Sequence, residues 1–255
     1  MDAVVVTYNS AREIARLLSD ARVRGAFDRV IVVDNGSSDA TRDVAHAHGA
    51  LVLDRGGNGG FAVGVNEGVR AARGDRFVVL NPDIGSITPD VVRRLARHLD
   101  HPAVGVIAPA LQLPDGELQD SAREVPSPLD LARRRFWKQV PDGVRTDRPV
   151  IVDWVVAACV AIRRDAFEAV GGFDERYFLY FEDVDFGVRM RRAGYAVVYD
   201  PTIRVRHEHA AESQGSLSSW ATRQHLRSAY TFYSRHSGYL WPRRLRPPGR
   251  AAVLR

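Results

Sequence analysis

The sequence predicts an α/β protein in which a mostly parallel sheet is flanked by helices. Apolar strands alternate with amphipathic helices four times within roughly the first 100 residues. The strands are continuously apolar, which is typical of strands buried on both faces of a sheet. Each strand also ends in a polar loop. Repeated strand–helix alternation favours right-handed crossovers, and ligands of such sheets bind beyond the carboxyl ends of the strands.

The first half of the chain contains four strand–helix units. The predicted strands cover residues 3–6, 30–33, 51–53 and 77–80. Ser10, with Glu13 three positions later, predicts a capping box at the start of the first helix. Thr88 and Pro89 predict an N-cap followed by proline at the start of the fourth helix. The loops that join strands to helices read TYNS, DNGSSD, DRGGNGG and NPD, and we expect them to gather at one edge of the sheet.

The second half of the chain is less regular. Residues 112–150 contain five prolines, which predicts a long connecting segment. Strand character returns at residues 154–162, 195–199 and 203–205, and a helix is predicted from the acidic run at 182–185 to Arg192. We therefore expect one domain over residues 1–212, with halves at 1–105 and 106–212. Residues 213–255 are expected to form a C-terminal helix and a basic tail.

Composition narrows the class of protein. The chain has 255 residues and one cysteine, Cys159, which excludes an internal disulfide and a cysteine-based metal cluster. There is no run of about 18 apolar residues, and a strand begins almost at once, so neither a membrane span nor a signal peptide is expected. A cytoplasmic protein is predicted. The net charge of +5 suits an anionic ligand or an anionic membrane surface, whereas the scattered arginines argue against nucleic acid.

The fourth predicted strand runs directly into Asn81, Pro82 and Asp83. Proline ends the strand because it has no N–H to donate. Asp83 is then either a turn residue or a ligand of Mg²⁺ or Mn²⁺, since these ions prefer oxygen ligands and often take only one or two carboxylates from the protein. Its position at the carboxyl edge of the sheet favours the metal ligand. His207 and His209 are either two exposed histidines, or one of them is a further ligand of the metal.

An acidic pair begins the predicted helix of the second half. Glu182 and Asp183 follow four aromatic residues within 177–181, and Asp185 adds a third acid. Acids are favoured at a helix N-terminus in any case. In an apolar site, however, such an acid also serves as a general base, and we expect one of the pair to face a substrate while the other braces the loop.

The glycine-rich stretch at residues 57–62 allows a rival hypothesis. It fits the pattern G-x-G-x-x-A between a strand and a helix, which is a fingerprint of dinucleotide binding. The pattern is short, and it follows the third strand rather than the first. The sequence therefore favours a nicotinamide enzyme only weakly.

Several motifs taken together resemble the family 2 glycosyltransferases of the GT-A fold, and most closely their rhamnosyltransferase branch. The motifs are VVVTYNS, VIVVDNGSSDAT, GGNGGFAVGVNEGV, FVVLNPD, GGFDERYFLYFEDVDFGVRMRRAGY and VRHEHAAES. The ordered match covers roughly residues 3–213. The resemblance implies a Rossmann-like, mostly parallel central sheet flanked by helices, a smaller sheet on the acceptor side, and a C-terminal helical tail.

The resemblance also implies the roles of individual residues. The base and ribose of a nucleotide would be held by Thr7, Tyr8, Asn9, Asp34 and Asp39. The rest of the donor site would include Asn35, Asn58, Gly59, Gly60, Phe61, Asn66 and Asn81. Asp83 and His207 would bind Mn²⁺ or Mg²⁺. Asp183 would be the catalytic base, with Glu182 beside it, and Arg189 and Arg192 would lie near the phosphates or on a solvated face.

Three departures from the family pattern affect this assignment. The D-x-D motif appears as Asn81-Pro82-Asp83 and so offers one carboxylate. Ala157 and Ala158 stand where a glycine is usual, close to the expected acceptor side. The late histidine motif lacks its usual glycines, which leaves His209 as an alternative metal ligand to His207.

The resemblance implies an inverting transferase that uses a nucleoside-diphosphate sugar, with dTDP-L-rhamnose favoured, and a glycan, lipid-linked or secondary-metabolite acceptor. The alternatives are a UDP-hexose or UDP-galactofuranose donor, a non-catalytic sugar-nucleotide-binding module, and a nucleotidyltransferase. The basic and aromatic cluster at residues 133–138 contacts an anionic membrane at its inner face, binds a lipid-linked diphosphate acceptor, or is a solvated loop with one aromatic ring packed beneath it. A homodimer is left open.

Overall fold

The computed structural model describes residues 1–137, 143–208 and 220–241. Within these residues the chain forms eleven strands and nine α-helices. The strands are β1 (Asp2–Thr7), β2 (Val30–Asp34), β3 (Leu51–Asp54), β4 (Arg76–Leu80), β5 (Ile84–Gly85), β6 (Val104–Gln112), β7 (Ala122–Arg123), β8 (Val150–Val152), β9 (Trp154–Val155), β10 (Cys159–Arg163) and β11 (Ala196–His207). The helices are α1 (Ala11–Ser19), α2 (Ala21–Ala26), α3 (Thr41–Ala47), α4 (Phe61–Ala71), α5 (Pro89–His98), α6 (Pro128–Trp137), α7 (Arg164–Ala169), α8 (Glu182–Arg192) and α9 (Trp220–Arg235).

The main sheet has nine strands in the order β3-β2-β1-β4-β10-β6-β11-β5, and β8 also pairs with β11. Strands β3, β2, β1 and β4 are parallel neighbours. Strand β10 is antiparallel to both β4 and β6, and β11 runs parallel to β6. Six strands therefore share one direction, as the mostly parallel sheet requires, and β5, β8 and β10 oppose them. A second, two-stranded sheet pairs β7 with β9.

The end of the chain's longest strand differs from the prediction. Two strands were expected at residues 195–199 and 203–205, but the structure has the single strand β11, whose register against β6 shifts between Asp200 and Arg204. Asp200 and Arg204 pair with adjacent residues of β6, so three extra residues of β11 lie between them and the strand then continues. The continuous strand carries His207 into a short antiparallel ladder opposite Ile84 of β5.

The start of α1 also differs from the prediction. No capping bond forms from the Ser10 side chain; its hydroxyl donates instead to the carbonyl of Tyr8 at 3.1 Å. The Asp39 carboxylate accepts a hydrogen bond from the Ala11 N–H at 3.0 Å, although it lies 28 residues away in sequence. A capping residue from another loop satisfies the helix N-terminus, which joins the first two loops of the sheet edge.

Apolar side chains cover both faces of the sheet, and a third cluster lies under the C-terminal helix. One face packs against α1, α2 and α5, and the other against α4, α7 and α8. The third cluster joins residues before and within α8 to α9, with Phe181, Phe232 and Tyr233 at its centre. Helix α9 therefore stabilises the segment that leads into the acidic pair, because its apolar face is buried there.

A buried polar network fixes α9 to α8. The fully buried Asp185 carboxylate accepts from Arg189 Nε at 2.6 Å and from His236 Nε2 at 2.7 Å. Arg192 donates to the other ring nitrogen of His236 at 2.8 Å. Burial by itself raises the pKa of Asp185, but the bonds from His236 and Arg189 bring it below its ordinary value. The network accounts for Arg189, whereas Arg192 is exposed and reaches the network through its bond to His236.

Removing the histidine from this network is expected to destabilise the fold. Within the described part of the chain, His236→Ala leaves Oδ1 of the buried Asp185 with only the long bond from the Tyr177 hydroxyl, at 3.4 Å, so the free energy of unfolding should fall by about 2–3 kcal/mol. Urea unfolding followed by circular dichroism measures this change. His46→Ala on the exposed side of α3 is the control and should leave the midpoint unchanged. A His236→Ala protein as stable as the wild type would remove the network as a stabilising element.

Candidate active site

Asp34 organises the first two loops at the carboxyl edge of the sheet. Its carboxylate accepts from the Thr7 hydroxyl at 3.1 Å and from the backbone N–H and hydroxyl of Ser37 at 2.8 and 2.5 Å. Both Asp34 and Thr7 are buried. In this conformation the Asp34 carboxylate is used within the protein, where it shapes the loop through Ser37 and Thr7.

Tyr8 lies between these fixed residues and is 53% exposed. Its neighbour Asn9 has a positive φ of 50° and accepts at its side-chain oxygen from the Ser38 N–H at 2.8 Å. Asp39 accepts from the N–H groups of Ala11 and Thr41, both at 3.0 Å. The two loops thus form one hydrogen-bonded unit that presents an exposed aromatic ring, which is a suitable surface for stacking against a nucleotide base.

The glycine-rich stretch packs directly against the segment before the acidic pair. Gly60 has a φ of 90°, and a Cβ there would lie 2.3 Å from the carbonyl oxygen of Phe178. Asn35 donates to the Gly60 carbonyl at 3.2 Å, and the Phe61 N–H donates to the Phe178 carbonyl at 3.1 Å. Only glycine fits here, because both the backbone angle and the close approach exclude a side chain.

Phe61 and Asn66 of α4 extend the same contact. The Asn66 amide donates to the Phe173 carbonyl at 2.8 Å and to Glu175 at 2.9 Å, and its oxygen accepts from the Phe173 N–H at 2.9 Å. The rings of Phe61 and Phe173 meet edge to face at 6.0 Å. Both residues join the donor half to the loop before α8. Within the stretch itself, exposed Asn58 accepts from the Gly60 N–H at 3.0 Å.

Gly59 is close to a cation that the sequence analysis did not single out. A Cβ at Gly59 would lie 2.5 Å from Nη1 of Arg55. Arg55 donates to Glu67 at 2.7 Å and to the side-chain oxygen of Asn35 at 3.1 Å. Arg55 therefore holds the glycine-rich stretch to the second loop, and its position beside the expected donor site makes it a candidate for donor binding.

Asp83 and His207 come together although they are far apart in sequence. Asp83 Oδ1 lies 3.4 Å from His207 Nε2, and the Asp83 side chain is 22% exposed. The Asn81 N–H donates to the Ala158 carbonyl at 2.8 Å, which fixes the turn after β4. Oε1 of Gln119 lies 2.6 Å from the other ring nitrogen of His207 and so orients the ring. A carboxylate and an imidazole at this edge form a candidate metal site.

A strained turn aims the acidic pair at the start of α8. Tyr180 and Phe181 both have a φ of 67°, a left-handed conformation that costs about 1–3 kcal/mol for each such residue. The turn persists because the Phe181 ring packs between His225, Phe232 and Tyr233, at centroid distances of 5.2, 5.5 and 6.1 Å. Helix α9 thus holds the backbone that orients Glu182 and Asp183.

Glu182 and Asp183 have different environments. Burial, followed by the charge of Asp183, raises the pKa of Glu182 well above its usual range. Among the described residues, Glu182 Oε2 has no hydrogen-bond partner. Burial also raises the pKa of Asp183, to about 6, against the lowering effects of nearby backbone N–H groups and the Arg123 guanidinium. With a pKa of about 6, Asp183 is ionised at neutral pH and is the candidate base, whereas the surroundings of Glu182 favour its protonated form.

The two predicted acidic centres lie on either side of Ala157 and Ala158. The Ala158 carbonyl accepts from the Asn81 N–H at the turn that carries Asp83. The backbone N–H of Ala157 acts on the Asp183 carboxylate and lowers its pKa. Both alanines are buried. The turn that carries the metal candidate and the base candidate are thus linked through two adjacent residues.

Sequence reasoning missed three side chains in this region. Gln119, Arg123 and Arg55 lie in loops or short strands without a periodic pattern, so nothing in the sequence singled them out. Arg123 packs over the Trp154 ring at 5.7 Å and acts on Asp183. The alternative metal ligand His209 lies outside the described residues, as do Lys138 and the side chains at 134–137 of the basic cluster.

This fold and site define a sugar transferase, and the comparisons agree. The chain belongs to glycosyl transferase family 2, whose model matches residues 2–171. It is therefore a glycosyltransferase, and the glycine-rich stretch serves this fold rather than a nicotinamide enzyme. The predicted family is confirmed.

Two relatives are rhamnosyltransferases. The chain is 33% identical to the N-acetylglucosaminyl-diphospho-decaprenol L-rhamnosyltransferase of Mycobacterium tuberculosis strain H37Rv, over 94% of this chain and 86% of the relative. It is 27% identical to the rhamnosyltransferase WbbL of Escherichia coli K12, over 91% of this chain and 92% of the relative. The similarity extends along nearly all of both sequences.

Solved structures share the fold. The chain is similar to the mannosyltransferase PcManGT of Pyrobaculum calidifontis, solved with GDP-Man and Mn²⁺, with a TM-score of 0.62, 20% identity, and coverage of 92% of this chain and 64% of that chain. The chain is also similar to GalNAc-T7, solved with UDP, GalNAc and Mn²⁺, with a TM-score of 0.66 and 14% identity. This match covers 94% of this chain and 49% of that chain. This chain thus spans about half to two thirds of those proteins. The predicted GT-A fold is confirmed.

Proposed function

We propose that this enzyme transfers L-rhamnose from a nucleoside-diphosphate donor, dTDP-L-rhamnose, to a hydroxyl of a lipid-linked or other glycan acceptor, with inversion at the anomeric carbon. The placement of Asp83 and Asp183 on either side of Ala157 and Ala158 carries the proposal. The names of the two rhamnosyltransferase relatives support the choice of sugar. The lipid-linked acceptor is supported by the name of the mycobacterial relative.

The residues at the sheet edge fit a divalent cation. Asp83 offers an oxygen and His207 a nitrogen, which suit Mn²⁺ or Mg²⁺. No group of three potential ligands occurs in the part of the chain that the structure describes, so the diphosphate of the donor would supply further oxygens. When bound, the cation would stabilise the negative charge of the departing diphosphate. Two structural relatives were solved with Mn²⁺, which supports the same assignment.

The chain's own residues account for the remaining steps. The unit formed by the first two loops would bind the base and ribose, with Tyr8 against the base. Asp183 would accept the proton of the acceptor hydroxyl while the oxygen of that hydroxyl forms a bond to the anomeric carbon. The bond from that carbon to the diphosphate oxygen breaks in the same step, and the nucleoside diphosphate leaves. Holding both substrates in line supplies much of the acceleration.

The raised pKa of Asp183 predicts the pH dependence of transfer. A general base is active when ionised, so kcat/KM should rise with pH through about 6 and become level above about pH 7. Below the pKa it should fall about tenfold per pH unit. Transfer measured from about pH 5 to pH 8, with circular dichroism as a check on folding, tests this. A profile that stays level to pH 5 would contradict the assignment.

Donor and acceptor can be identified separately. A panel of nucleotide sugars, each with and without Mn²⁺, is tested for thermal stabilisation of the protein, and dTDP-L-rhamnose with Mn²⁺ should give the largest shift. Transfer is then measured to a polyprenyl-diphosphate-linked N-acetylglucosamine and to soluble glycans. A larger shift with a UDP-hexose or UDP-galactofuranose would replace the donor. Pyrophosphate release from a nucleoside triphosphate would instead indicate a nucleotidyltransferase.

A further inference from the structure

The outward face of α9 combines apolar and basic side chains that the active site does not use. Leu226 is 60% exposed and Tyr230 is 78% exposed. Arg223 and Arg227 are also exposed. These four residues recur at the spacing i, i+3, i+4 and i+7, which places them on one side of the helix. The opposite side, with Ala229, Phe232 and Tyr233 among others, is buried against the third cluster.

The charge of the chain is concentrated at this end. Residues 213–255 contain eight arginines and no acidic residue. The other 212 residues hold the remaining 28 of the 36 basic residues and all 31 acidic ones, for a net charge of −3. The overall +5 therefore combines a weakly acidic body with a strongly basic C-terminal segment. In the field of an anionic surface such a molecule turns its C-terminal segment towards the surface.

We propose that this outward face, defined by Arg223, Leu226, Arg227 and Tyr230, docks on the surface of an anionic phospholipid bilayer. Arginines next to exposed leucine and tyrosine are the composition of helices that lie in a membrane interface, where the basic groups meet lipid phosphates and the apolar groups enter the headgroup region. Among the described residues no helix is both long enough and apolar enough to span a bilayer. Because the opposite side of α9 is buried against the protein, the face would lie on the membrane surface.

Helix α6 extends the same side of the molecule. Leu131 of α6 packs against the third cluster beneath α9, and the Tyr233 hydroxyl donates to the Pro126 carbonyl at 3.0 Å. Leu129 of α6 is 46% exposed. The base-bearing helix begins beneath α9 as well, because Phe181 packs on Phe232. The bilayer would lie beside the end of α8 that carries Asp183. The docking does not depend on the identity of donor or acceptor.

Vesicle co-sedimentation of the full chain tests the proposal. The protein should sediment with vesicles of phosphatidylcholine and phosphatidylglycerol at low salt, much less with phosphatidylcholine alone, and less as salt rises. Two double variants, Leu226→Ser with Tyr230→Ser and Arg223→Gln with Arg227→Gln, should each weaken binding on the order of tenfold. All four positions are exposed, so thermal unfolding should remain that of the wild type.

Matched controls lie on other faces. Arg93→Gln with Arg97→Gln removes an exposed i, i+4 arginine pair from α5, and Leu51→Ser removes an exposed leucine from β3. Both should change vesicle binding by less than about twofold. Wild-type binding that none of the α9 variants weakens would overturn the proposal, as would equal binding to neutral vesicles or none at low salt. A dimer that Leu226→Ser with Tyr230→Ser dissociates, without vesicle binding, would assign the face to a second copy instead.

Discussion

Replacing Asp183 by asparagine is expected to lower kcat by about 10²–10⁴-fold, because the amide cannot accept the proton of the acceptor hydroxyl. Binding of the donor should remain, since Asp183 is proposed to act on the acceptor and is not among the residues proposed to bind the donor. Steady-state transfer and donor-induced thermal stabilisation measure the two effects independently. A variant that transfers sugar at the wild-type rate would show that another group is the base.

The neighbouring acid provides a matched control for this experiment. Burial and the charge of Asp183 both raise the pKa of Glu182, which favours its protonated form. Glu182→Gln imitates that state and should retain most of the activity. Folding is not expected to explain the loss in Asp183→Asn. The pKa of Asp183 is raised in the folded state, so its ionised form destabilises the fold as pH rises through about 6. The asparagine variant should be at least as stable at pH 7.

The second large effect is expected from Asp83→Asn. Loss of the carboxylate should abolish the additional stabilisation that Mn²⁺ gives to the donor complex, and transfer should fall by about 10²–10³-fold. Thermal unfolding with donor, with and without Mn²⁺, gives a readout besides activity. Asp90→Asn, which changes an aspartate that is 65% exposed at the start of α5, is the control and should behave as wild type.

Substitution of His207 tests the second proposed ligand of the same metal site. His207→Asn should weaken the Mn²⁺ dependence of donor binding if the imidazole is a ligand, whereas an unchanged dependence would leave Asp83 as the ligand within the described residues. Gln119→Leu provides a further comparison, because it removes the partner of the second ring nitrogen without changing either proposed ligand. It should produce a smaller loss than His207→Asn does.

The turn before α8 and the acidic pair that follows it are both costly to the stability of the fold. Two consecutive residues with positive φ are unfavourable, and a buried ionised aspartate is unfavourable as well. Both are maintained by packing of Phe181 against α9 and by the network around Asp185. The C-terminal helix is therefore part of what keeps the acidic pair in position, although it begins 37 residues after Asp183.

The sequence by itself determined the repeating unit of the fold and the chemistry of its loops. Continuous apolar runs predicted both ends of each of the first four strands to within one residue, because burial on both faces leaves few alternatives. The positions of Asp83 and of the acidic pair followed from where a strand ends and a helix begins. The division into halves at 1–105 and 106–212 and the role of each site residue stay predictions.

Tertiary structure alone decided which of these groups meet. Strand β10 enters the sheet between β4 and β6 in the opposite direction, which places Ala157 and Ala158 between the two carboxylates, and no local pattern encodes that insertion. The pairing of β5 with β11 brings His207 to Asp83, and packing of Phe181 against α9 holds the turn before Glu182 and Asp183. Contacts between distant segments and the desolvation they cause depend on the whole packed chain, so a linear reading of residue types does not contain them.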